Sequence, residues 1–184
     1  MNLNQLPENL LVPIDDGAAD HLESKQLPPI SFSATNDETI CIKDTLGLVV
    51  VYIYPMTGRP DTPPPEDWDE IPGAKGCTPQ SCSFRDHYSE LHKLNAHLYG
   101  LSAQSSKYQR EAKERLHLPF ELLSDSNLEL KEALGLPTFK AAGLELYKRI
   151  TLIARDGIIE KVFYPILSPS NNADEVIKWL ESNV

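Results

Sequence analysis

Hydrophobic and polar positions follow two different periods along this chain, and the sharpest apolar stretch lies near residue 50. Residues 49–54, Val-Val-Val-Tyr-Ile-Tyr, are β-branched or aromatic without interruption, and Pro55 follows. A run this short with no polar face predicts a strand covered on both sides, as in the middle of a sheet. Residues 30–34 and 39–42 are shorter β-type segments, joined by the turn signal Asn36-Asp37. Residues 97–102 and 120–123 predict two further strands. Residues 147–154 and 158–164 flank Asp156-Gly157, a hairpin signal. In an extended chain Tyr147, Arg149 and Thr151 would share one face, with Ile150 and Leu152 on the other.

Between these segments the period lengthens to that of a helix. Residues 105–116 predict a charged surface helix, and residues 127–134 a helix closed by Gly135. Residues 172–182 predict a terminal helix burying Val176, Ile177 and Leu180. Residues 79–94 predict another, with Phe84, Tyr88, Leu91 and Leu98 as its apolar stripe. Strands alternating with helices, then a hairpin and a helix, predict an α/β domain with a mixed central sheet. That domain takes in residues 28–184. Residues 1–27 read as a polar, acidic and largely irregular arm, in which Leu3, Leu6, Leu10 and Leu11 offer a turn or two of helix. Residues 56–75 form a long insertion rich in proline and acidic side chains, a length that points to function or disorder.

Composition narrows the function classes. The 184 residues are 41% hydrophobic, enough for one domain with a sizeable core. The formal charge of −10 repels nucleic acid and anionic membranes, so neither is expected as a partner. No basic leader opens the chain, and the longest apolar run is about half of what a membrane helix needs. A cytoplasmic protein is the expectation, where a lasting structural disulfide is disfavoured and a transient catalytic one is not.

The candidate chemistry lies in Gly76-Cys77-Thr78-Pro79-Gln80-Ser81-Cys82-Ser83-Phe84-Arg85-Asp86, which holds two of the three cysteines. Thr78 suits a helix N-cap and Pro79 the first helical position. Cys77 then falls at or just before a helix N-terminus, where unpaired N–H groups and the macrodipole stabilise an anion such as a thiolate. Cys82 is expected opposite the apolar stripe and accessible, so the pair reads as redox chemistry. Cys41, between Ile40 and Ile42, is left over and reads as a small half-buried strand residue.

These residues resemble the peroxiredoxins, of the peroxiredoxin Q or bacterioferritin-comigratory type, over roughly residues 27–184. The likeness rests on Tyr52-Ile53-Tyr54-Pro55, on Gly76-Cys77-Thr78 with Cys82-Ser83-Phe84-Arg85-Asp86, and on Tyr147-Lys148-Arg149-Ile150-Thr151-Leu152-Ile153. It implies a thioredoxin-like fold and a cofactor-free, metal-free thiol peroxidase acting on hydrogen peroxide or organic hydroperoxides. Cys77 matches the peroxidatic cysteine, Cys82 the resolving one, and Arg149 the arginine beside the thiolate. An intramolecular Cys77–Cys82 disulfide, recycled by a thioredoxin-like dithiol, and a monomer or weak homodimer are further implications. Pro55, Thr57 and Gly76 are the implied substrate-side residues. The chain departs from the family pattern by carrying alanine at position 74, where a hydroxyl residue is expected. Either the insertion returns Thr57 to the site, with Thr78 as the next candidate, or the hydroxyl is missing.

Three other readings compete. A thioredoxin-type oxidoreductase usually has two residues between its cysteines, and here there are four. A metal site from Cys77, Cys82, His87 and His92 lacks a usual zinc spacing. A catalytically silent thioredoxin-fold binding module has no need of Cys77, Cys82 and Arg149 together.

Overall fold

The computed structural model describes residues 11–183. Its strands are β1 (Ser31–Ala34), β2 (Thr39–Cys41), β3 (Leu48–Ile53), β4 (Ala96–Ser102), β5 (Glu121–Ser124), β6 (Thr138–Ala141), β7 (Leu144–Tyr147), β8 (Ile150–Arg155) and β9 (Ile158–Phe163). The helices are α1 (Cys77–Asp86), α2 (Tyr88–Lys93), α3 (Ser106–Leu116), α4 (Glu129–Leu134) and α5 (Asn172–Asn183). Seven strands form one mixed sheet in the order β2-β1-β5-β4-β3-β8-β9, while β6 and β7 pair only with each other. In the sheet, β3 runs parallel to β4 and antiparallel to β8.

Every residue of β3 is buried, as its unbroken apolar run predicts. Its two faces feed two cores. Val49, Val51 and Ile53 join one with Leu22, Leu27 and Phe32. Leu48, Val50 and Tyr52, with Tyr54 just beyond, join the other with Phe84, Leu91 and Leu180. Gly100 on β4 makes the second packing possible. A Cβ there would lie 2.6 Å from a Leu122 methyl and 2.7 Å from the Tyr52 ring. Tyr52 therefore lies close over β4 and stacks on Phe84 of α1, with centroids 4.6 Å apart.

The chain is mixed α/β with a thioredoxin-like arrangement, as expected; three local readings are corrected and one element is added. The helix of residues 79–94 is two helices, α1 and α2, separated at His87. Leu98, assigned to its stripe, lies on β4. The strand of residues 147–154 is also two, because Tyr147 ends β7 while Lys148 and Arg149 lie between β7 and β8. The hairpin β6–β7, turning at Ala142-Gly143 with both residues at positive φ, was not foreseen.

Residues 11–27 contain no helix or strand, and Ala19, Leu22 and Leu27 pack them on the first core. Leu3, Leu6 and Leu10 lie outside the described residues. The proline-rich insertion is built into the fold. Its Trp68 and Ala74 form a small third core with Ala141 and Leu146, against which Met56, Ile71 and Phe139 pack. The hairpin β6–β7 is thus the support on which the insertion rests.

Candidate active site

The site is built where the insertion ends and α1 begins. Gly76 is the residue preceding the helix, at φ 112°, a conformation that a side chain rarely adopts. Helix α1 therefore starts with Cys77 itself, and Thr78, expected as the cap, lies inside the first turn. No side chain caps this end. Its N–H groups and the positive end of the macrodipole are left to favour an anion at Cys77.

Arg149 is brought in from the chain between β7 and β8. Its Nη2 lies 3.2 Å from Cys77 Sγ and also donates to the carbonyls of Gly73 (3.2 Å), Ala74 (3.1 Å) and Lys75 (3.0 Å). Three successive carbonyls of the insertion thus curl around one guanidinium. Its Nη1 donates to Gln80 Oε1 at 2.6 Å. Arg149 is 4% exposed, so little water screens its charge from the sulfur. This draw on Arg149 gives the physical reason why residues 147–154 are not one strand.

Cys77 lines a cavity of about 240 Å³. Met56 and Trp68 supply apolar wall, Thr78 a hydroxyl, and Asp69 and Lys75 an ion pair of 2.6 Å at its rim. Gly76 lies on this lining, whereas Pro55 and Thr57 do not. Pro55 is buried. The Thr57 hydroxyl donates to Gln104 Oε1 (3.2 Å), as does its backbone N–H (2.9 Å), and Gln104 Nε2 donates back to the Thr57 carbonyl (3.1 Å). Thr57 anchors the start of the insertion to Gln104, and Thr78 is the hydroxyl residue on the cavity.

Cys82 does not match its expected exposure. It is wholly buried, in the core that includes Tyr52, Tyr54 and Phe84. Gln80, Ser81, Cys82, Ser83 and Phe84 are all buried, so α1 has no solvent face along this turn. The expectation failed because the apolar stripe was drawn through Tyr88 and Leu91, which belong to α2. Burial pushes the Cys82 thiol up from its ordinary value and keeps it protonated at neutral pH. The Tyr52 hydroxyl donates to Ser81 Oγ at 3.1 Å and fixes the same turn to β3.

All three cysteines are free thiols, and Cys41 on β2 is half-buried. His87 faces Glu90 (2.8 Å) and Asp174 (3.4 Å). Among the described residues no group of three or more His, Cys, Asp and Glu could hold a metal ion. Likewise no helix among them is long and apolar enough to cross a membrane. Sequence reasoning missed Gln80, Trp68, Asp69 and Lys75. Gln80 had a signal, since three residues after Cys77 is one helical turn on the same side. Trp68 had none, because only the distant hairpin directs it inward.

The family model named Redoxin matches residues 22–177. Among curated proteins, the chain is 30% identical over 159 residues to the chloroplastic peroxiredoxin Q of Sedum lineare, covering 84% of this chain and 75% of that one. It is 32% identical over 162 residues to the putative peroxiredoxin bcp of Coxiella burnetii, covering 85% of this chain and 97% of that one. The match to the chloroplastic peroxiredoxin Q of Suaeda salsa spans 55% of that relative's length. Among solved structures, the peroxidoxin BcpB of Mycobacterium tuberculosis superposes with a TM-score of 0.73 at 21% identity, covering 89% of this chain and 99% of that one. Peroxiredoxin Q of Xanthomonas campestris gives 0.67 at 19% identity, covering 95% and 98%.

Proposed function

Because this chain belongs to the redoxin family, in its peroxiredoxin Q and bcp branch, we propose that it is a thiol peroxidase in which Cys77 attacks the peroxide. The observation that carries the reading is the Arg149 guanidinium 3.2 Å from Cys77 Sγ, at an uncapped helix N-terminus, on a cavity large enough for a small hydroperoxide. The Cys77 thiolate attacks one peroxide oxygen in line with the O–O bond. The S–O bond forms as the O–O bond breaks, Cys77 is oxidised to sulfenic acid, and the departing alkoxide or hydroxide takes a proton. Arg149, 3.2 Å from Cys77 Sγ, and the first N–H groups of α1 are the donors proposed to stabilise that negative charge.

Cys82 is the proposed resolving thiol. Its sulfur displaces the sulfenic oxygen as water, giving a Cys77–Cys82 disulfide that a thioredoxin-like dithiol reduces. The two cysteines are the first and sixth residues of one helix. Five helical residues separate Cα atoms by ~8–9 Å. A disulfide tolerates at most ~7 Å. Since Cys82 also starts inside the core, the beginning of α1 has to unwind and draw it out. Hydrogen peroxide and small organic hydroperoxides are the proposed substrates, handled by a monomer or weak homodimer.

The test is peptide mapping after one equivalent of hydrogen peroxide, with amide exchange on the same samples. The expected result is Cys77 joined to Cys82 within one chain, with protection lost over residues 78–90. Cys77→Ser should abolish peroxide consumption while Cys41→Ser retains it. Consumption by Cys77→Ser at the parent rate overturns the assignment, and a bridge to Cys41 or to another subunit removes Cys82 from the cycle.

A further inference from the structure

Beyond Arg149 the polar contacts continue inward. Gln80 Oε1 accepts from Arg149 Nη1 at 2.6 Å, while Gln80 Nε2 donates to Asn172 Oδ1 at 2.9 Å. Asn172 Oδ1 also accepts from the Thr151 hydroxyl at 2.7 Å. Gln80, Thr151 and Asn172 have no exposed surface. They come from three elements, α1, β8 and the first residue of α5. Asn172 therefore ties the start of the C-terminal helix to the sheet and, through one glutamine, to the arginine on the reacting sulfur.

Two features give this chain of contacts a role beyond holding the fold. Asn172 uses only its acceptor, because its Nδ2 is buried with no partner among the described residues. A buried amide donor left unmet costs stability, so Asn172 is not the side chain that packing alone would favour. Gln80, the other member, lies between the two cysteines in the segment that has to unwind. Reaching the disulfide requires the bonds of Gln80 to Arg149 and to Asn172 to break.

We propose that Asn172 is a positioning residue that, by holding Gln80, sets how the enzyme divides between peroxide attack and disulfide formation. With Asn172 Oδ1 engaged, the first turn of α1 stays wound and Arg149 stays on Cys77. That arrangement favours attack and delays the approach of Cys82 to the sulfenic acid. Loosening it acts on the two steps in opposite directions. The inference rests on the Cys77 and Cys82 assignment above.

The experiment is single-turnover stopped flow on the full reduced chain with hydrogen peroxide. It follows Trp68, which lines the Cys77 cavity, in a Trp179→Phe background. Asn172→Ala should slow the peroxide phase about tenfold and speed the disulfide phase by a similar factor. Less Cys77 should then be over-oxidised to sulfinic acid at high peroxide, read by mass spectrometry. Asn172→Asp keeps an acceptor for Gln80 and Thr151 and should restore both phases toward the parent. Thr151→Val removes the second bond to Asn172 Oδ1 and leaves Gln80 and Arg149 intact. It should shift both phases in the same opposite directions as Asn172→Ala, by less, and it serves as the test if Asn172→Ala does not fold. Slowing of both phases together, or no change in either, overturns the proposal. If the parent itself forms no Cys77–Cys82 bridge, the resolving assignment fails instead, and the peroxide phase of Asn172→Ala still decides whether Asn172 positions Arg149.

Discussion

Helix α1 holds one cysteine at its first position and one at its middle, and both sulfurs are hidden from solvent, with Cys77 4% and Cys82 0% exposed. They differ in what faces them. Cys77 has a buried guanidinium, unpaired helix N–H groups and a cavity. Cys82 has aromatic and aliphatic neighbours, and its thiol is held protonated by burial. The same depth thus serves opposite ends. Low dielectric strengthens the Arg149–thiolate attraction at one sulfur and penalises ionisation at the other. Burial alone does not rank cysteine reactivity; the sign of the surrounding charge does.

Removing the guanidinium is the strongest way to break this contrast. Arg149→Met should slow the peroxide step by roughly 10²–10³-fold, the scale for losing one preorganised electrostatic contact. Alkylation of Cys77 at neutral pH should slow in parallel. Arg149→Lys keeps the charge without the planar fork that serves three carbonyls and the sulfur, so it should fall between. Alkylation at the parent rate in Arg149→Met would show that the helix N-terminus alone sets the contrast.

Cys82→Ser probes the other sulfur with a smaller effect on the first step. Single-turnover peroxide consumption should stay within about threefold of the parent, whereas multiple turnover with a dithiol reductant collapses and Cys77 sulfenic acid accumulates. A hydroxyl placed among Tyr52, Phe84 and their neighbours should cost ~1–3 kcal/mol of stability, measurable by denaturant unfolding. Undiminished turnover would mean that the reductant attacks the Cys77 sulfenic acid directly.

What was legible in the sequence was what local pattern determines. The two-faced strand β3 followed from its unbroken apolar run, α3 from its charged stretch of residues 105–116, and the end of α4 from Gly135 in the left-handed region. The placement of Cys77 at a helix N-terminus followed from the turn residues around it. What was illegible depends on distant partners. The β6–β7 hairpin is short, bounded by the weak turn Ala142-Gly143, and meaningful only as the support under Trp68. Lys148 and Arg149 interrupt a strand-like run because the carbonyls of residues 73–75 hold Arg149. Cys82 was placed on the wrong side because nothing local marks the break at His87. Asn172 is a polar residue at the start of an amphipathic helix, and only the fold reveals that it faces inward.

The weakest expected effect concerns the arm, which braces the Cys77 end alone. Leu11 carbonyl accepts from the Gly73 N–H at 3.4 Å, and Asp16 is held by Lys148 Nζ (2.7 Å) and the Tyr164 hydroxyl (2.8 Å). Lys148 directly precedes Arg149, so this contact fixes the chain just before the reacting arginine. Hydrogen bonds from Lys148, then from Tyr164, lower the Asp16 carboxyl from 3.8 to about 2. A carboxyl depressed in the folded state adds stability that is complete above its unfolded value, near 3.8, and disappears as pH falls toward 2. Asp16 is 42% exposed, so screening limits the contribution to at most ~1 kcal/mol. Asp16→Asn should therefore lower stability slightly at neutral pH, and its unfolding curve should converge with the parent's as pH falls from about 4 to 2. Peroxide and disulfide phases should both stay within about twofold. A stability difference that persists unchanged at pH 2 would show that Asp16 acts through packing of the arm, with its charge contributing nothing.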